Sequence, residues 1–218
     1  MVSIAIDGPA GAGKSTIARA AAQRLAYLYV DTGALYRAIA FFMQEHKLDD
    51  EAEIVAALSK VEVNLKFVDG LQRVFLCGED VTEKIRTPQI SMMASKISAI
   101  PEVREFLLHL QRDLAQKNNV LMDGRDIGTV ILPNADVKIF LTASSEARAQ
   151  RRHKELLEKG LQSSYEEVLA DIIKRDHDDS TRAVAPLKQA EDAILVDTSD
   201  CNLEESIELV LRAVKDDL

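Results

Sequence analysis

Val2-Ser-Ile-Ala-Ile-Asp7, Gly8-Pro-Ala-Gly-Ala-Gly13-Lys14-Ser15 and Thr16-Ile-Ala-Arg-Ala-Ala-Ala-Gln-Arg-Leu25 follow one another without a break: an apolar run, a glycine-rich octet and a helical pattern. The octet reads G-x-x-x-x-G-K-S in the strand-loop-helix setting that a phosphate-binding loop requires. Glycines let the backbone curl so that successive N–H groups face phosphate oxygens, and the helix N-terminus adds partial positive charge. Lys14 is then placed to reach β/γ-phosphates, and the Ser15 hydroxyl to hold Mg²⁺. The octet therefore predicts nucleoside triphosphate binding, against the alternative of a plain turn, but does not say what becomes of the phosphate.

Working outward, short β-branched runs alternate with long amphipathic stretches, the pattern of a parallel sheet with helices on both faces. Strands are expected at 2–7, 27–31, 119–123, 137–142 and 193–197. Asp7, Asp31, Asp123 and Asp197 close the four clearest, at the strand ends where open α/β sheets place ligands. Ser163-Ser164-Tyr-Glu166-Glu167 and Asn202-Leu-Glu-Glu205 offer capping boxes for two later helices. From about 61 to 86 the rhythm breaks: an alternating run to Val68, the turn signal Asp69-Gly70, then Arg73-Val-Phe-Leu-Cys77. That predicts a small antiparallel hairpin inserted in the scaffold, either surface decoration or a wall around substrate.

The 218 residues, 47% of them hydrophobic, suffice for one α/β domain with an insertion. A net charge of −9 argues against a nucleic-acid surface, so any anionic ligand needs a local basic site. Cys77 and Cys201 lack metal or redox spacing and fit reduced thiols, and the four histidines share no ligand spacing. The opening reads as a buried strand rather than a signal peptide, and no run is apolar enough to span a membrane.

Three clusters could carry chemistry. Asn119-Val-Leu-Met-Asp123-Gly124-Arg125-Asp126 ends a buried strand in charges, either a ligand site or Arg125 paired with Asp123 or Asp126. Arg148, Arg151 and Arg152 stand at i, i+3 and i+4, so one helix face carries three like charges: a solvated face, or a clamp for a transferring phosphoryl group. Arg175, Asp179 and Arg182 share another face, as a salt-bridge ladder or the wall of a polar site.

Together with the octet, the stretches Asp31-Thr-Gly-Ala-Leu-Tyr-Arg37, Gly124-Arg-Asp-Ile-Gly-Thr-Val130 and Arg182-Ala-Val-Ala-Pro-Leu187 closely resemble bacterial cytidylate kinases, from end to end of the chain. The resemblance implies a P-loop fold: a five-stranded parallel sheet flanked by helices, an insert at about 61–86 beside the acceptor, and a short lid at about 144–160. It implies that Gly8, Pro9, Ala10, Gly11, Ala12, Gly13, Lys14, Ser15 and Thr16 hold the ATP phosphates, and that Arg148, Arg151 and Arg152 act with Lys14 on the transferring group. Thr32, Arg37, Arg125 and Arg175 would face the CMP phosphate and sugar, with Asp179 accepting from ribose hydroxyls; Ser95, Arg104, Asp126 and Arg182 would surround the cytosine, and Gly33 and Tyr36 belong to the same substrate-binding set. The family often carries serine where Thr32 stands; the hydroxyl is kept.

Cytosine presents an amino donor, which suits Asp126, beside acceptors that suit Arg104 or Arg182, whereas uracil turns a carbonyl toward the carboxylate. The implied enzyme transfers the γ-phosphoryl group of Mg²⁺·ATP to CMP or dCMP as a cytoplasmic monomer with small-molecule partners, without nucleic acid or membrane. Its rivals are a broader UMP/CMP kinase and a nucleotide-dependent switch; the guanine-reading Asn-Lys-x-Asp of switch GTPases is absent from the sequence.

Overall fold

A computed structural model describes residues 1–68, 70–158 and 160–218. In chain order the elements are β1 (Ser3–Asp7), α1 (Lys14–Leu25), β2 (Leu28–Asp31), α2 (Thr32–Glu45), α3 (Glu51–Ala57), β3 (Val63–Val68), β4 (Leu71–Leu76), β5 (Glu79–Asp80), α4 (Pro88–Ile97) and α5 (Pro101–Lys117). There follow β6 (Val120–Gly124), a single wide turn (Ile127–Ile131), β7 (Val137–Thr142), α6 (Ser145–Glu158), α7 (Tyr165–Thr181), β8 (Ile194–Asp197) and α8 (Leu203–Asp217).

The main sheet is parallel, in the order β2-β6-β1-β7-β8. Period-two alternation sends its side chains into two cores. Ile4, Ile6, Leu121 and Ile139 meet Ile17, Ala18 and Ala21 of α1 and Val210 and Val214 of α8. Ala5, Val30, Val120 and Met122 turn to the opposite face, against Ala115 of α5 and Ile127. Because Asp7 pairs in register with Gly124, and Asp31 with Asp123, the strand ends form one polar rim.

All five expected strands form, shifted by a residue or less at their ends except Ile139's strand, which matches at both. Both capping boxes close, Ser164 with Glu167 and Asn202 with Glu205. Asn202→Ala is expected to lower stability by about 1 kcal/mol through loss of the α8 cap, read as a smaller urea midpoint at unchanged m-value.

The inserted segment differs from a simple hairpin. β3 and β4 pair antiparallel as expected, but β5 adds a third strand, and Val63, Val74, Leu76, Val81 and Ile85 join α2 and α4 in one core. The turn signal at Asp69 lies outside the described residues. Gln72 also ties the insert to the edge of the main sheet: its side-chain oxygen accepts from Asp31 N (2.9 Å) and its amide donates to Asp31 O (3.2 Å). A single side chain thus imitates a neighbouring strand at the rim.

Candidate active site

Lys14 opens α1, two residues earlier than the sequence pattern alone suggests, because Gly13 takes a left-handed conformation (φ +82°) and turns the chain into the helix. Among the described residues no side chain caps this helix, and no acid stands in its first turn, so the positive end of its dipole is not offset by a carboxylate there. Lys14 Nζ donates to Pro9 O at 2.7 Å. A Cβ on Gly8 would lie 2.0 Å from Leu141 O, so only glycine lets the loop leave the sheet there. Gly8, Pro9 and Ala12 therefore shape the loop from below, Ala12 buried among Ile17 and its neighbours, while Ala10, Gly11, Gly13, Lys14, Ser15 and Thr16 line the cleft.

Ser15 Oγ donates to Asp123 Oδ2 (2.9 Å), and the Tyr29 hydroxyl donates to Oδ1 (3.0 Å). Burial, with Asp31 adding to it, pushes Asp123 up to about 6. Burial also holds the Lys14 ammonium well below its ordinary range, reinforced by Arg125 and opposed by Asp123 and Asp7. Asp123 faces Ser15 as a second oxygen donor, a role that sequence reading did not assign it.

Asp31 organises the neighbouring corner: its carboxylate accepts from Ala34 N (3.0 Å), capping α2, and from Arg37 Nη2 (2.8 Å). Thr32 Oγ1 donates to Asp123 O at 2.7 Å, fastening the start of α2 to β6. Gly33 sits where a Cβ would crowd Arg37 Nη1 at 3.1 Å. Arg125 pairs with neither Asp123 nor Asp126, the alternatives left by the sequence; its Nε donates to Asp179 Oδ2 (2.8 Å) across the cleft. Burial alone would raise Asp179, but Arg125, Arg175 and Arg182 together hold the carboxyl below its usual range.

At the far end Asp126 is buried and paired with Arg104, whose guanidinium lies 5.7 Å from the Tyr36 ring centroid. Arg182 donates through Nη1 to Ser98 Oγ (3.1 Å) and through Nε to Ala185 O (2.7 Å). Its Nη2 is buried, 4.0 Å from Asp126 Oδ1, and has no hydrogen-bond partner among the described residues. Ser98 was missed by sequence reading: its carbonyl also accepts from Arg104 (3.0 Å), so one serine holds both arginines. No periodic signal marks it. Ser95 lines the same end, and Arg175 reaches Ser91 O at 3.4 Å.

The three-arginine face divides its work. Arg148 is buried, with Nη1 on Ala10 O (2.9 Å) and Asp176 (3.0 Å) and Nε on Ala143 O (2.9 Å). Arg151 turns to the carbonyls of Thr198, Ser199 and Cys201, and Arg152 pairs with Glu155 (2.8 Å). All three border one cavity of about 520 Å³ that runs from the glycine-rich loop to Asp126. In an acidic chain this cleft gathers Lys14 and eight arginines: Arg37, Arg104, Arg125, Arg148, Arg151, Arg152, Arg175 and Arg182. Such a site can hold two phosphorylated groups end to end and neutralise charge between them. None of residues 61–86 borders it among the described residues; the insert touches it indirectly, through Gln72 and Asp31.

A family model described as cytidylate kinase matches residues 4–216. The cytidylate kinase of Carboxydothermus hydrogenoformans is 53% identical over 97% of this chain and 96% of its own. That of Caldanaerobacter subterraneus subsp. tengcongensis is 54% identical, with 98% and 95% covered. An uncharacterized protein from Eubacterium ventriosum, 11% identical, superposes with a TM-score of 0.54 over 99% of both chains, a likeness of fold alone. Among the described residues no helix is long and apolar enough to cross a membrane.

Proposed function

Since this chain belongs to the cytidylate kinase family and is thereby a nucleotide kinase acting on CMP, we propose that it transfers the γ-phosphoryl group of ATP to CMP and dCMP. The products are CDP and dCDP. The observation that carries the substrate reading is the buried Asp126 beside Arg104 and the unpartnered Arg182 Nη2, at the opposite end of the cleft from Lys14. A carboxylate accepts the amino group of cytosine, and the guanidinium N–H left without a partner suits its ring acceptors. An unmet buried donor costs about 1–3 kcal/mol, so a base that meets it gains where one that cannot is rejected.

The acceptor phosphate would lie among Arg37, Arg125 and Arg175 near Thr32 and Gly33, with Asp179 toward the ribose hydroxyls and Tyr36 and Ser95 along the nucleoside. That phosphate is already ionised, so in-line attack needs no strong base; alignment and charge neutralisation do the chemistry. Ser15 Oγ and Asp123, hard oxygen donors side by side in the cleft, would hold Mg²⁺ entering with ATP, and the ion would neutralise charge on the phosphates. Lys14 and Arg148 address the transferring group from the loop and from α6, and closure of a lid at about 144–160 keeps water out. The insert at about 61–86 serves as the acceptor-side subdomain, linked through Gln72. A cytoplasmic monomer working on these small molecules, without nucleic acid or membrane, completes the reading.

The test is Mg·ATP with CMP, dCMP, UMP, AMP, GMP or shikimate as acceptor, following ADP and CDP. CMP and dCMP are expected to lead; preference for UMP or AMP sinks the substrate assignment, and ATP turnover without acceptor favours a switch. Asp126→Ala is expected to raise the CMP KM and erode CMP-over-UMP preference by about ten-fold or more. An unchanged acceptor KM removes Asp126 from the pocket.

A further inference from the structure

We propose that Asp7 is a positioning residue for acceptor recognition, holding the segment that carries Arg125 and Asp126 through two backbone amides; this rests on the CMP kinase reading above. Its own backbone is fixed in the middle of the main sheet, paired with Gly124 on one side and Phe140 on the other. The side chain is buried, 5% exposed, and no ion pair is formed by it among the described residues. One carboxylate oxygen accepts from Ile127 N at 2.7 Å and the other from Gly128 N at 2.8 Å.

Those two amides open the wide turn at Ile127–Ile131, whose leading residue, Asp126, offers no side-chain cap of its own. First-turn amides without a cap must find another acceptor when buried. Here a carboxylate from a different strand supplies it. Arg125 and Asp126 are thus anchored on one side by β6 and on the other by Asp7. Gly128 packs closely beside the contact: a Cβ there would press on Lys138 Cδ at 3.1 Å and stand in ordinary contact, 3.4 Å, with Asp7 Oδ2.

Burial pushes the Asp7 carboxyl up to about 6, against the two amides that pull it down, with Asp126 and Lys14 acting in opposite directions on it. A buried carboxylate is a costly way to fill this space. Its use is chemical: two free acceptor oxygens for two N–H groups, which an amide of the same shape cannot supply. Main chain and side chain serve different halves of the site. The backbone of Asp7 leads straight into the phosphate loop at Gly8, whereas the hydrogen bonds of its carboxylate among the described residues go to Ile127 and Gly128.

Asp7→Asn separates the two. The CMP KM is expected to rise about ten-fold or more, with CMP-over-UMP preference falling alongside it, while the ATP KM stays within about two-fold. In the ligand-free enzyme, hydrogen exchange at the Ile127 and Gly128 amides is expected to accelerate by about a hundred-fold. An unchanged CMP KM, an equal rise in both KM values, or unchanged exchange overturns the inference. Should the asparagine variant not fold, Asp7→Glu keeps the charge but displaces both oxygens from the Ile127 and Gly128 amides, and is held to the same acceptor-only pattern. Wild-type enzyme that makes no CDP defeats the functional reading instead, and the exchange measurement then still decides whether the clamp exists.

Discussion

Lys14→Ala is expected to lower kcat by about three orders of magnitude while changing the ATP KM far less. Lys14 is 6% exposed, with its ammonium on Pro9 O and buried carboxylates at Asp123 and Asp7 nearby in charge terms. Burial and Arg125 disfavour its charged form, a penalty that an incoming phosphate would offset. On the proposed reaction, binding of ATP would draw on many N–H groups of the loop, whereas charge growing between the β- and γ-phosphates would fall chiefly to Lys14. Steady-state kinetics with saturating CMP reads the split. A kcat within ten-fold of wild type, on an about equal enzyme concentration, would remove Lys14 from the chemistry.

The second large effect is at Arg148, where alanine should cost about two to three orders of magnitude in kcat and also about 2 kcal/mol of stability. One guanidinium bonds the phosphate loop at Ala10, the end of β7 at Ala143, and Asp176 on α7. Removing it leaves a partly buried carboxylate unpaired, hence the stability loss. Lysine restores the charge but not the planar fork, so Arg148→Lys should recover little of kcat. Thermal unfolding and kinetics on the same preparations separate the two losses. An Arg148→Ala enzyme with normal kcat and lowered stability would make the residue a strut rather than part of the transfer site.

Legibility differed between the two halves of the site. The donor loop was readable because its residues are contiguous and its conformation follows from glycine and lysine spacing. The residues proposed for the acceptor come from α2, α4, α5, the end of β6 and the end of α7, brought together only by tertiary packing. Arg104 and Asp126 are 22 positions apart, and Arg125 and Asp179 are 54 apart, so nothing local couples them. A charge row such as Arg148, Arg151 and Arg152 announces a shared face, yet the partners of each arginine lie on other elements. Ser98 carries no pattern at all, since its part is played by one hydroxyl and one carbonyl. The third strand at Glu79–Asp80 is too short for any alternation to register.

By itself the sequence determined the parallel sheet, its polar rim and the phosphate loop, because periodicity, β-branching and glycine spacing act between near neighbours. Tertiary structure alone decided that Asp7 would clamp Ile127 and Gly128, that Asp123 would face Ser15, and that Arg125 would choose Asp179 over its nearer acids. Those choices turn on desolvation: a carboxylate or guanidinium withdrawn from water takes whichever partner the packed chain brings within about 3 Å, and distance along the chain has no bearing on which that is.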